Sequence, residues 1–132
     1  MDFIELNFEP IDVDMQSPLV WAYIGDAVYE MFIRTYLVKK STAKPNKLHI
    51  ESIKYVKAQA QANILKRLDE ILTEKEKDIV RRGRNAESHH LPKNSNAAEY
   101  SQSTAFEALI GYLYLNKSND RLKEILNFAI SE

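Results

Sequence analysis

Two stretches of this chain are too apolar to form anything but central helices, and each places an acid among small residues. The first is Val20-Trp21-Ala22-Tyr23-Ile24-Gly25-Asp26-Ala27-Val28-Tyr29-Glu30-Met31-Phe32-Ile33. The second is Ala105-Phe106-Glu107-Ala108-Leu109-Ile110-Gly111-Tyr112-Leu113-Tyr114-Leu115. Both are apolar on nearly every face, the pattern of a helix buried all round. An ionised carboxylate removed from water costs several kcal/mol unless it is paired or binds a metal. Asp26 and Glu107 therefore demand partners. Ala22, Gly25 and Ala27 flank one, and Ala105, Ala108 and Gly111 flank the other. Small residues let helices approach closely and leave room beside an acid. Packed together, the two helices would bring both carboxylates to one oxygen-rich site suited to Mg²⁺. From the residues alone, pairing of each acid with a buried arginine or a helix N-terminus fits equally well. Glu30 has a natural i,i+4 partner in Arg34 and reads as structural.

The rest of the chain is also helical in pattern. Ser17-Pro18 suits an N-cap followed by a first-turn proline, opening a helix to about residue 38. Pro45 opens a second, carrying Leu48, Ile53 and Val56. Its continuation from 58 to about 72 carries Ala62, Leu65 and Leu68. Thr73-x-x-Glu76 is a capping box for a helix to about residue 82, with Gly83 expected to end it. Residues 85–96, rich in Asn, Ser, His and Pro, read as a loop. Helices are then expected over about 97–116 and 120–130. No segment alternates as a strand does. The expectation is an all-α bundle of five or six helices, one domain over residues 1–132, with residues 1–16 an acidic N-terminal arm.

Composition narrows the chemistry. The chain has 132 residues, 45% hydrophobic and 28% charged, which is a globular balance. The absence of cysteine excludes a disulfide framework, zinc ribbons and thiol catalysis. The N-terminus does not read as a signal peptide, and no apolar run is long enough to span a bilayer, so a cytoplasmic, membrane-free protein is expected. The net charge of −1 conceals segregation. Residues 2–14 hold five acids and no base. Residues 38–67 hold eight bases against Glu51, a local net of +7, and residues 81–95 hold four against Glu87, a net of +3. Charge separated in this way creates a positive surface on a nearly neutral protein.

Tyr23-Ile24-Gly25-Asp26-Ala27-Val28-Tyr29-Glu30 resembles the signature helix of ribonuclease III catalytic domains. Thr104-Ala105-Phe106-Glu107-Ala108-Leu109-Ile110-Gly111-Tyr112-Leu113-Tyr114-Leu115 resembles their second acidic helix. Arg82-Gly83-Arg84-Asn85-Ala86 and Pro92-Lys93-Asn94 resemble the mini-ribonuclease III pattern between them. The resemblance covers about residues 17–126, and the joint order of the motifs is more specific than any one of them. It implies a ribonuclease III endonuclease-like all-α bundle. It further implies a homodimer with a groove for double-stranded RNA and Mg²⁺-dependent cleavage leaving 5′-phosphate and 3′-hydroxyl ends, with Mn²⁺ able to stand in. Mini-type members lack a separate double-stranded-RNA-binding domain, and this chain ends just after its catalytic helices. The family's usual task is maturation of precursor 23S (large-subunit) ribosomal RNA. Full-length ribonuclease III uses four acids per site. Two would fall at Ala22 and Thr104, which are not acidic, so Asp26 and Glu107 are the matching pair.

By this resemblance Asp26 and Glu107 are the catalytic and metal-holding residues. Arg84, Asn85, Lys93 and Asn94, with His89 and His90 nearby, are the candidate RNA contacts. A-form duplex is read mainly through phosphates and 2′-hydroxyls. Lys39, Lys40, Lys44 and Lys47 read as a solvated face or weak phosphate steering. The histidines have no metal-ligand spacing. Glu70, Glu74 and Asp78 read as surface charge, and Tyr112 to Leu115 as core and interface. Two rivals stand beside the nuclease. One is a non-catalytic RNA-binding or ribosome-associated scaffold on the same fold. The other is an all-α nucleotide pyrophosphohydrolase, which needs Glu-x-x-Glu pairs that the apolar helices lack.

Overall fold

A computed structural model describes residues 11–86 and 96–131. After a 3-10 turn at Val13–Met15 come six helices: α1 Pro18–Lys40, α2 Pro45–Val56, α3 Ala58–Leu68, α4 Glu74–Arg84, α5 Ala97–Leu115 and α6 Asn119–Ile130. The described residues contain no strand, and the all-α bundle stands as expected.

Local chemistry sets the boundaries. The Ser17 hydroxyl accepts from the Val20 N–H at 3.3 Å, and Pro18 takes the first turn of α1. Thr73 and Glu76 form the capping box, with the Glu76 carboxylate accepting from the Thr73 N–H at 2.9 Å and the Thr73 hydroxyl from the Glu76 N–H at 3.1 Å. The Asn96 side chain caps α5 by accepting from Ala98 and Glu99. Lys57, extended with ψ 153°, separates α2 from α3 without help from glycine or proline. The end of α5 is a Schellman turn: Ser118 N–H reaches Leu113 C=O, Lys117 N–H reaches Tyr114 C=O, and Lys117 takes φ 58°. Gly83 does not end α4. It lies buried within the last turn, where an added Cβ would stand 2.8 Å from the Ala108 Cβ, so it is a packing residue.

Helix α5 is the centre. Ala105, Phe106, Ala108, Leu109 and Ile110 are fully buried, and α1, α3, α4 and α6 all pack on it. Edge-on aromatic pairs, Tyr29 on Phe106 and Trp21 on Tyr112, join it to α1. Helix α1 departs from the expectation of burial all round. Trp21, Val28, Tyr29, Ile33 and Leu37 face the core, but Val20, Tyr23, Met31 and Val38 are exposed by 40%, 79%, 52% and 60%. The described part of the acidic arm is docked. The Asp14 carboxylate accepts from the Tyr112 hydroxyl at 2.8 Å and pairs with Lys75 at 3.0 Å, while the Trp21 indole N–H donates to the Val13 carbonyl. Residues 1–10 lie outside the described residues.

Arg121 staples α6 to α4. Its guanidinium donates to both Glu76 oxygens at 2.8 Å and to the Ile71 carbonyl at 2.7 Å. Because Glu76 is buried, removing its cationic partner strands a charge. Arg121→Ala is expected to cost about 2–3 kcal/mol in urea unfolding, and Arg121→Lys to restore little, lacking the planar fork. A midpoint unchanged in both variants would show that this pair contributes nothing to stability.

Candidate active site

Helices α1 and α5 cross at two glycines in backbone contact. A Cβ built on Gly25 would overlap the Glu107 carbonyl and lie 2.8 Å from the Gly111 N. One on Gly111 would overlap the Trp21 carbonyl and lie 2.9 Å from the Gly25 N. The approach is possible only because neither residue has a side chain. Asp26 follows Gly25 directly, and Glu107 lies one turn before Gly111, so the crossing carries both acids with it.

The two carboxyl groups are neighbours, close enough for Asp26 to act on the Glu107 carboxyl. Asp26 lies on the exposed side of α1, which corrects the expectation that it would be removed from water. Glu107 is the partly buried member of the pair. Burial pushes its carboxyl up to about 8, the neighbouring Asp26 pushes the same way, the Gln61 amide opposes, and Glu30 adds a further push. Among the described residues neither acid makes an ion pair; Glu30 and Arg34 pair with each other at 3.7 Å. The reading in which each acid pairs with a buried arginine is therefore not met.

Oxygen donors of like charge held side by side form an arrangement that a hard divalent cation relieves, so the residues fit Mg²⁺ or Mn²⁺. Among the described residues no group of three or more His, Cys, Asp or Glu could hold a metal. The chain would thus supply two carboxylates and leave the other positions to water and phosphate oxygens. Ala22 and Thr104 are both buried, and the Thr104 hydroxyl donates to the Tyr100 carbonyl at 3.1 Å.

Two residues at this site were not foreseen. The Gln61 side chain, on α3, is buried and donates to Glu107 Oε2 at 3.5 Å while accepting from the Ser103 hydroxyl at 2.7 Å. The available signal was a glutamine on the α3 stripe shared with Leu65 and Leu68, where a polar side chain must find buried partners.

Of the expected RNA contacts, Arg84 and Asn85 end α4 and are exposed. Arg84 Nε donates to Gln102 at 3.3 Å, five residues before Glu107 and so about 7.5 Å from it along the α5 axis. The packing of Gly83 against Ala105 and Ala108 sets this placement. Lys93, Asn94, His89 and His90 lie outside the described residues. A cavity of about 610 Å³ between α3 and α4 is lined by Lys66, Asp69, Lys77, Arg81 and Arg84, and not by Asp26 or Glu107. No helix among the described residues is long and apolar enough to cross a membrane.

Comparison with known proteins agrees with this architecture. The ribonuclease III domain model matches residues 19–118. A protein of Thermoanaerobacter named mini-ribonuclease 3 is 53% identical over 86% of this chain and 80% of its own length. The mini-ribonuclease 3 of Staphylococcus aureus is 48% identical over 95% of each chain. A crystal structure of a protein from Fusobacterium nucleatum superposes with a TM-score of 0.80 at 33% identity, over 90% of this chain and 95% of that one. With a matching domain model, relatives similar over most of their length and the same helical fold, the chain belongs to the mini-ribonuclease III branch of the ribonuclease III family.

Proposed function

We propose that this protein is an endoribonuclease that cuts double-stranded RNA, with Asp26 and Glu107 holding Mg²⁺, and that it trims precursor large-subunit ribosomal RNA. One observation carries the reading: the glycine crossing brings two carboxylates together, and among the described residues neither makes an ion pair. The relatives named ribonucleases, at 53% and 48% identity, supply the direction. When bound, the metal would polarise the scissile phosphate and lower the pKa of the attacking water, giving 5′-phosphate and 3′-hydroxyl ends.

The chain's own residues orient and bind. Asp26 and Glu107 supply the negative oxygens. Arg84 and Asn85, with Lys93 and Asn94, supply donors to phosphates and 2′-hydroxyls. The exposed apolar stripe of α1, which includes Val20, Tyr23, Met31 and Val38, suits burial against a second copy. The resulting homodimer would place two sites along one duplex. Large exposed apolar side chains on an otherwise core-facing helix support this part of the reading.

The test is cleavage of an end-labelled RNA duplex, beside either strand alone, in Mg²⁺ and in EDTA. Cutting of the duplex alone, only with metal, and weakening steeply with salt is the expected result. Salt-sensitive binding without cutting, on naked and ribosome-associated RNA alike, would make the protein a scaffold. Equal cutting of an unrelated duplex and a precursor ribosomal RNA fragment would remove the ribosomal assignment but leave the nuclease.

A further inference from the structure

We propose that Gln61 is a positioning residue for Glu107, clamped by Ser103 and acting as a neutral donor that orients the acid for its cation. The proposal rests on the reading of Asp26 and Glu107 as the metal-holding pair.

Gln61 is only 1% exposed, and its amide is engaged on both sides. Oε1 accepts from the Ser103 hydroxyl at 2.7 Å, and Nε2 donates to the Val56 carbonyl at 3.0 Å and to Glu107 Oε2 at 3.5 Å. The Val56 carbonyl is at the end of α2, where helical partners run out. Ser103 lies four residues before Glu107 on α5, so the clamp and the acid share one helix face. Gln61 thus ties the α2–α3 corner to α5 at the turn that carries Glu107.

The chemistry suits glutamine in particular. A lysine there would compete with the metal ion for the carboxylate. A glutamate would add a third negative group beside an acid already crowded by Asp26 and Glu30. An amide donates without charge. It engages Oε2, and Glu107 together with Asp26 would hold the cation. Without it, the flexible glutamate side chain would have to be ordered by the metal itself, which weakens binding.

The test is calorimetric titration of the RNA-free protein with Mn²⁺ and Mg²⁺, alongside cleavage kinetics. Gln61→Met is expected to weaken metal binding by about 10–100-fold. It should lower kcat at limiting metal, leave KM for the duplex within about twofold, and be rescued by excess Mg²⁺. Ser103→Ala is expected to shift metal affinity the same way by less, and the double variant to be no worse than Gln61→Met alone. If Gln61→Met fails to fold, Ser103→Ala, the loss of one hydroxyl, decides by the same titration. Lower Tm with unchanged metal affinity in the deciding variant would make Gln61 purely structural and overturn the proposal. Asp26→Asn separates the two levels. If it loses metal binding while Gln61→Met keeps it, the positioning role falls alone. If Asp26→Asn binds metal as wild type does, the pair itself is wrong and the proposal falls with it.

Discussion

Alanine at Gly25 or Gly111 is expected to unfold the protein or to cost about 3 kcal/mol or more, at the upper end of overpacking effects. Overpacking in most cores is relieved by rotating a neighbouring side chain. Here the obstacle is backbone on both sides. The Gly25 Cβ would stand 2.7 Å from the Glu107 carbonyl carbon, and the Gly111 Cβ 2.7 Å from the Trp21 carbonyl carbon. Accommodation requires α1 and α5 to move apart, which would loosen the Trp21–Tyr112 and Tyr29–Phe106 ring contacts with them. Gly83→Ala is the control. It meets the Ala108 Cβ at 2.8 Å and the Ala105 Cα at 3.0 Å, and only the α4–α5 contact must give. Urea unfolding followed by circular dichroism ranks the three. Wild-type stability for Gly25→Ala would mean that the helices do not meet at these residues. A folded but loosened variant should also lose metal binding, since the same crossing brings the acids together.

Asp26→Asn and Glu107→Gln are each expected to lower duplex cleavage by at least about 100-fold, more than loss of a residue that only supports a ligand. The same substitutions should change how the metal-free protein responds to pH. Glu107 titrates near its ordinary 4.5 in the unfolded chain and at about 8 in the fold, because of burial first and the Asp26 charge second. The fold therefore holds this proton more tightly than the unfolded chain does. Its contribution to stability is fully present below about 4.5 and is lost as pH rises towards 8. Melting temperatures in EDTA should fall across that window. The fall should be smaller in Asp26→Asn, where burial alone still acts, and absent in Glu107→Gln. Mg²⁺ added to wild type near pH 8 should restore stability by binding the fold and not the unfolded chain. Full cleavage by Asp26→Asn at saturating Mg²⁺ would remove the acid from the site. A pH-independent melting temperature in wild type would show that neither burial nor Asp26 raises the Glu107 carboxyl.

Much of this was legible in the residues because it depends on neighbours in sequence. Ser17-Pro18 and Thr73-x-x-Glu76 each settle a helix start through a side chain that reaches only three residues along the chain. The small residues around Asp26 and Glu107 forecast a close helix crossing, and the crossing is there. Other features escaped for matching reasons. Gly83 looks like a helix terminator because glycine usually serves that role, yet its lack of a side chain is used here against Ala105 and Ala108, more than twenty residues away. Gln61 finds Ser103 and Glu107 at separations of 42 and 46 residues. Asp14 finds Tyr112 at a separation of 98. Such pairings are properties of packing, with no local pattern to announce them.

The sequence by itself determined the helices, the caps of α1 and α4 and the apolar character of α5, and it singled out two acids in apolar helices. Periodicity and capping are short-range, and two acids in apolar helices stand out wherever those helices go. Only the tertiary structure decided which side of α1 is covered. Helical periodicity tells which residues share a face but not which face meets a neighbour, so an all-apolar helix reads as wholly buried until its surroundings are known. In the fold Trp21, Val28 and Tyr29 turn inward while Tyr23, Asp26 and Met31 turn out. That rotation leaves Asp26 at the surface and keeps Glu107 partly buried, with the Gln61 amide donating to it.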